Sequence, residues 1–252
     1  MLINMNRTPF DLFWRMFGIP IRVHPTFWLV SIFFSFDYLQ LGVEYFLIGV
    51  GCVFVTILLH ELGHALMFRA YWMHSSILLY GFGGLAIPDG YLERRSWRII
   101  VSLAGPLTNF LISGLLWGSN YVQPWAIGER HLLVTYLILF NINLYLGILN
   151  LLPVWPLDGG KISRDLWTKK QPYQGIVSSL KMSIFAAIVV SLYSFGCRAN
   201  VIPPDFTIDW LRPGFFCALL FALLALENYT ELQNMRRPHA NYYDDDRPPW
   251  AR

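Results

Sequence analysis

The sequence predicts an all-α integral membrane protein with six transmembrane helices and a short re-entrant or β-hairpin segment between helices 2 and 3. Three observations predict it. The 252 residues are 55% hydrophobic and 17% aromatic but only 14% charged, with a mean hydropathy of +0.44. A soluble domain carries roughly a quarter charged residues. Apolar segments recur along the chain at or near spanning length, and the basic residues cluster on alternate sides of them. This composition excludes a disordered chain and argues against a soluble domain, whose surface needs polar side chains. A net charge of +3 says little about acidic partners, and no nucleic-acid partner is expected. Cys52, Cys197 and Cys217 are odd in number, sit in apolar runs and form no CxxC pair, against both a disulfide framework and a cysteine zinc site.

Residues 1–22 read as an N-terminal interfacial segment. Arg7, Arg15 and Arg22 interrupt any secretory-signal core, and Phe10–Ile21 mixes aromatic with basic residues as segments lying in the interface do. The membrane domain is expected over 23–230. Its apolar segments are Val23–Leu41, Tyr45–Phe68, Ile99–Gly118, His131–Leu152, Met182–Gly196 and Pro213–Leu226. A spanning helix needs about 20 apolar residues, so the third and fourth suffice alone, while the fifth and sixth are short and borrow interfacial residues. Residues 231–252, with Asp244, Asp245, Asp246 and several prolines, read as a flexible cytoplasmic tail.

The charges orient the chain. With the N-terminus inside and six crossings, sixteen of the nineteen Lys and Arg residues fall on the cytoplasmic side, leaving only Arg130, Arg198 and Arg212 outside. The positive-inside rule asks for this asymmetry, and an odd number of crossings would break it. Both termini are expected in the cytoplasm, with the chain in a plasma-type cell membrane.

The second segment ends in His60-Glu61-Leu62-Gly63-His64. Four residues apart, His60 and His64 share a helix face. Two imidazoles so placed can bind one Zn²⁺, and Glu61 beside them can act as general base. Three ionisable groups in one turn of a transmembrane helix are costly unless they serve a site. A catalytic zinc needs a third protein ligand and one open position. His24, His74, His131 and His239 fall at segment ends or in the tail, as interfacial histidines do. Asp158 is the better candidate: Pro153 and Pro156 break the helix before it, and Gly159 and Gly160 permit a tight turn.

Two further stretches bear on the site. Asn109, in Ala104-Gly105-Pro106-Leu107-Thr108-Asn109, must find a partner in hydrocarbon; it either faces the site and donates to a reacting oxygen or joins helices together. Ser75–Pro88 is apolar, broken by glycines and too short to span, so it reads as a hairpin or re-entrant segment. An exposed strand edge there could hold a peptide in extended form; otherwise the segment only seals the bundle.

Taken together, HELGH in a transmembrane helix, AGPLTNF in the next, and LNLLPVWPLDGG after the fourth segment resemble the site-2 protease family of intramembrane zinc metalloproteases. The stretch Gly18–Phe27 also resembles family members' approach to their first span. The resemblance covers roughly residues 18–165. It implies one zinc per chain held by His60, His64 and Asp158, with Glu61 as catalytic acid/base. It favours a site role for Asn109 in substrate binding or oxyanion stabilisation, and a substrate-facing role for the glycine-rich segment. It implies cleavage of transmembrane protein substrates within or near the bilayer, with the active site toward the cytoplasmic side. Trp155 stands where small or other apolar residues are common. There is no room between spans for a PDZ domain, so substrate selection and any regulatory membrane partner are unspecified, as is oligomeric state. Two other classes are compatible with the motifs: a membrane zinc-binding or transport protein, in which Glu61 would lack a role, and a catalytically idle homologue, against which the intact Glu61 argues.

Overall fold

The computed structural model describes residues 7–81, 83–122, 130–169, 171–198 and 215–236. They form two compact units, one of residues 1–152 with 156–165, the other of 153–155 with 166–252.

The first unit opens with two strands, β1 (Leu12–Met16) and β2 (Ile19–Val23), paired antiparallel from Leu12↔Val23 to Met16↔Ile19. Phe17 and Gly18 join them with φ of 53° and 80°. A two-residue hairpin turn with positive φ at both positions matches the right-handed strand twist. Within the stretch expected to lie at the interface, the chain thus forms a β-hairpin. Ile19, Ile21 and Val23 alternate inward and are buried, while Pro20 and Arg22 point outward.

Helix α1 (Thr26–Ser35) follows and tightens into a 3₁₀ segment, Phe36–Leu41. The long helix α2 (Val43–Ala70) comes next, then β3 (Ser75–Tyr80) and β4 (Gly83–Pro88). Residues 75–88 thus adopt the hairpin alternative, paired from Ser75↔Pro88 to Tyr80↔Gly83. The four strands form one sheet in chain order, with β2 and β3 parallel between two antiparallel pairs. Its inner residues Ile21, Val23, Ile77 and Leu79 share one buried cluster with Val53, Ile57, Leu58, Leu62 and Ala65 of α2. Sheet and helix each bury a single apolar stripe against the other. That packing fixes where β4 lies relative to the HELGH turn.

Helices α3 (Arg95–Val122) and α4 (Arg130–Asn150) pack beside α2. Pro106 lies inside α3, where it removes one backbone donor and loosens the preceding turn. After α4 the chain turns through its two prolines into α5 (Asp158–Trp167), whose first residue is Asp158. Arg98 of α3 grips Asp165 of α5 through Nε at 2.9 Å and Nη2 at 2.7 Å.

In the second unit, α6 (Pro172–Arg198) and α7 (Phe215–Arg236) run antiparallel, tied by Tyr173 Oη to the Met235 carbonyl and Ser191 Oγ to the Ala218 carbonyl. The Trp155 N–H donates to Ser183 Oγ of α6, and its carbonyl accepts from Asn228 Nδ2 of α7.

Among the described residues, four helices are long and apolar enough to cross a membrane: α2, α3, α4 and α6. The lengths differ from the sequence expectation. The fifth apolar segment is part of a 27-residue helix, because α6 starts at Pro172, ten residues before Met182. Proline suits a first helical position, and the helix runs on through Ser178, Ser179 and Lys181. The short one is the first, where only ten residues are α-helical before the 3₁₀ segment. The acidic tail from Pro238, with His239, lies outside the described residues, as does Pro213.

Candidate metal centre

Helix α2 presents His60 and His64 on one face, and both are buried with Glu61 between them. Asp158, only 2% exposed, reaches them from the start of α5. A carboxylate there is favoured by the helix N-terminus. Asp158 Oδ2 lies 3.1 Å from His60 Nε2 and 3.1 Å from His64 Nε2, and the two Nε2 atoms are 3.2 Å apart. These side chains are the one group of three or more His, Cys, Asp or Glu residues, among those described, whose ligand atoms converge.

The donor set fits zinc. Tetrahedral ligands at about 2.0–2.1 Å from Zn²⁺ lie about 3.3 Å from one another, close to the observed triangle, and three protein ligands leave the fourth position open. Tautomer reinforces the fit at His64. Its Nδ1 lies 2.7 Å from the Val101 carbonyl, which can only accept, so the proton is on Nδ1 and the Nε2 lone pair faces Asp158. A lone pair against a carboxylate oxygen is repulsive until a cation stands between them.

Asp158 Oδ1 receives the Lys161 ammonium at 2.9 Å. Burial opposes ionisation of Asp158, but the Lys161 ammonium beside it holds its carboxyl well below the usual carboxylate range. Burial likewise works against the Lys161 ammonium, yet the carboxylates of Asp158 and Glu61 raise its pKa above the ordinary lysine value.

Two backbones close in on the site. A Cβ on Gly84 of β4 would fall 2.6 Å from Glu61 Oε1, and one on Gly105 of α3 would fall 2.6 Å from His64 Cε1 and 2.7 Å from His60 Cε1. Glu61 is thus covered by β4, and the imidazoles by α3.

The structure brings His60, Glu61, His64 and Asp158 together. Asn109 sits behind His60, on the side away from Asp158. Its Oδ1 is 2.5 Å from His60 Nδ1, and its Nδ2 donates to Asn143 Oδ1 at 3.0 Å. These contacts join α2, α3 and α4 through Asn109, the second of the two alternatives that the sequence left open. His24 bonds Thr26 Oγ1 and His131 stacks on Tyr45, both apart from the centre. Sequence reasoning missed Lys161, Asn143, Gly84 and Gly105. Asn143 carried a signal, a polar amide within an apolar span. Lys161 also did, three residues beyond Asp158 and so on the same helix face.

Known proteins resemble the chain. The model of peptidase family M50 matches residues 123–192, a stretch holding α4, Asp158 and most of α6. A zinc metalloprotease of Methanocaldococcus jannaschii is 34% identical over 160 residues, 63% of this chain and 46% of that protein. Stage IV sporulation protein FB of Bacillus subtilis is 27% identical over 232 residues, covering 91% of this chain and 72% of its own length. The chain thus spans about half the length of the first and under three quarters of the second. The solved structure of a site-2 protease from M. jannaschii superposes with a TM-score of 0.57 at 24% identity, over 88% of this chain and 95% of that one, and shares its fold.

Proposed function

We propose that this chain, which belongs to the site-2 protease family of zinc metalloproteases, hydrolyses peptide bonds of membrane proteins within or near their transmembrane segments. The carrying observation is the triangle of His60 Nε2, His64 Nε2 and Asp158 Oδ2, with the Glu61 carboxylate buried beside it. His60, His64 and Asp158 are the zinc ligands, one ion per chain. Zinc held there supplies the Lewis acidity that polarises a peptide carbonyl and acidifies a water molecule. The protein does the rest. Glu61 takes a proton from the attacking water and returns it to the leaving amine. The Val101 carbonyl holds the His64 ring through Nδ1, which leaves Nε2 for the metal. Lys161 keeps Asp158 ionised and turned so that Oδ2 faces the histidines.

Strand β4 forms one edge of the sheet and passes over Glu61. A substrate segment, once unwound from its own helix, can add to that edge in extended form. The reading also places six spans in a cell membrane, both termini in the cytoplasm and the centre on the cytoplasmic side. Charge placement supports it. So does the first segment: ten α-helical and six 3₁₀ residues reach about 27 Å, close to the hydrocarbon thickness.

Two substitutions test the reading. Glu61→Gln should lower cleavage of a transmembrane reporter substrate by at least about 10²-fold while leaving zinc bound. Asp158→Ala should strip most of the zinc from detergent-purified protein, measured as metal per chain. Zinc transport surviving in Glu61→Gln, with no proteolysis by the parent, would favour the transport class instead.

A further inference from the structure

A line of buried polar side chains extends from the metal centre into the helix packing. His60 Nδ1 is 2.5 Å from Asn109 Oδ1, and Asn109 Nδ2 is 3.0 Å from Asn143 Oδ1. Asn143 Nδ2 reaches Thr56 Oγ1 at 3.1 Å and the Leu139 carbonyl at 2.8 Å. Asn109 and Thr56 are completely buried and Asn143 is 1% exposed. The line leaves α2 at His60, crosses α3 and α4, and returns to α2 one turn earlier at Thr56.

Its polarity is fixed at the far end. A main-chain carbonyl only accepts, so Leu139 requires the NH₂ group of Asn143. Asn143 Oδ1 therefore faces α3 as an acceptor. Asn109 must present its NH₂ group there, which turns its own oxygen toward His60. An oxygen acceptor against Nδ1 requires the proton on Nδ1, and the neutral ring then carries its lone pair on Nε2. That is the atom 3.1 Å from Asp158 Oδ2. His64 needs no such relay, because its Nδ1 meets a main-chain carbonyl directly. His60 meets a side-chain amide, which could face either way.

We propose that Asn143 is a positioning residue of the metal centre. Acting through Asn109, with Leu139 and Thr56 as its anchors, it sets which nitrogen of His60 carries the proton and holds that ring for the metal. This rests on the reading of His60, His64 and Asp158 as zinc ligands. Outer partners of metal-bound histidines typically carry about 10–100-fold in metal affinity.

The test compares zinc affinities of the detergent-solubilised full chain, by competition with a chromophoric chelator. Asn143→Leu should weaken zinc binding about 10–100-fold. Ser113→Ala, which removes another α3–α4 hydrogen bond, to the Phe140 carbonyl, should leave it within about twofold, inside the usual additivity error. In an Asn109→Leu background, Asn143→Leu should cost nothing more, because the two act as one unit. Unchanged zinc affinity in Asn143→Leu, or its full effect on top of Asn109→Leu, would overturn the proposal. Wild-type protein labelled with ¹⁵N-histidine provides a measurement without substitution. Its long-range ¹H–¹⁵N spectrum should show His60 protonated at Nδ1, the signal being assigned by its loss in His60→Gln. A proton on Nε2 instead overturns the relay, with or without metal. Wild-type protein that takes up no zinc counts against the functional reading, and the histidine spectrum of the same sample still decides the relay.

Discussion

Replacing Gly105 by alanine should empty the metal centre. The new Cβ would stand 2.6 Å from His64 Cε1 and 2.7 Å from His60 Cε1, and closer still to His64 Nε2. A Cβ essentially never approaches another heavy atom that closely, so either α3 retreats or the imidazoles turn. Retreat is opposed on three sides. Val101, in the same helix, holds His64 by its carbonyl; Asn109 holds His60; and Arg98 binds Asp165 of α5. Overpacking a buried contact commonly costs about 1–3 kcal/mol even where neighbours relax. Here the movable neighbours are the proposed ligands themselves. We expect zinc per chain to fall at least about tenfold, the lower bound for disturbing a ligand's support, and proteolysis to fall with it. Metal analysis of the purified variant, beside its circular dichroism, is the check. A full complement of zinc would mean that α3 yields near Pro106.

The Gly84→Ala substitution should do the opposite, sparing the metal and silencing the reaction. The three atoms nearest a Cβ at this position of β4 all belong to Glu61, with Oε1 at 2.6 Å and Cδ at 2.7 Å. None of the three candidate ligand atoms belongs to that contact. The strand cannot lift freely, since Leu79 and Ile77 of its partner β3 are packed in the buried cluster on α2. The carboxylate must therefore leave its place. Misplacing the proton carrier should cost about 10²–10⁴-fold in turnover, with zinc content unchanged. Single-turnover cleavage measured alongside zinc analysis separates the two glycines. If Gly84→Ala also loses zinc, β4 supports the ligands as well as Glu61.

Local signals in the sequence carried much of this. His60, Glu61 and His64 are an i, i+1, i+4 pattern, and helix geometry alone puts both histidines on one face. Asp158 stood out through the prolines before it and the glycines behind it. The hairpin over 75–88 was visible as a short apolar run broken by glycines. What escaped depends on partners far along the chain. The β1–β2 hairpin turns on Phe17, and phenylalanine rarely holds a positive φ, so no turn signal was legible there. The parallel pairing of β2 with β3 joins residues more than fifty positions apart, and the alternation of Ile19, Ile21 and Val23 does not say which strand they pair with. Gly84 and Gly105 look like ordinary small residues until the backbone opposite is known. Asn109 was recognised as needing a partner, but which one depended on Asn143, brought in by α4.

The 94 positions between His64 and Asp158 set a clock for the newborn chain. On the proposed ligand set, the two histidines of α2 make an incomplete metal site, and binding free energy becomes available only when Asp158 arrives. At about 5–20 residues per second, α2 waits roughly 5–20 s in the membrane before Asp158 is even synthesised. During that interval α3 and α4 must be threaded and packed, because Asn109, Val101 and Asn143 come from them. On that ligand set a ribosome-bound chain truncated before Asp158 is inert, and acquisition of tightly held zinc marks the arrival of α5, before α6 and α7 are made.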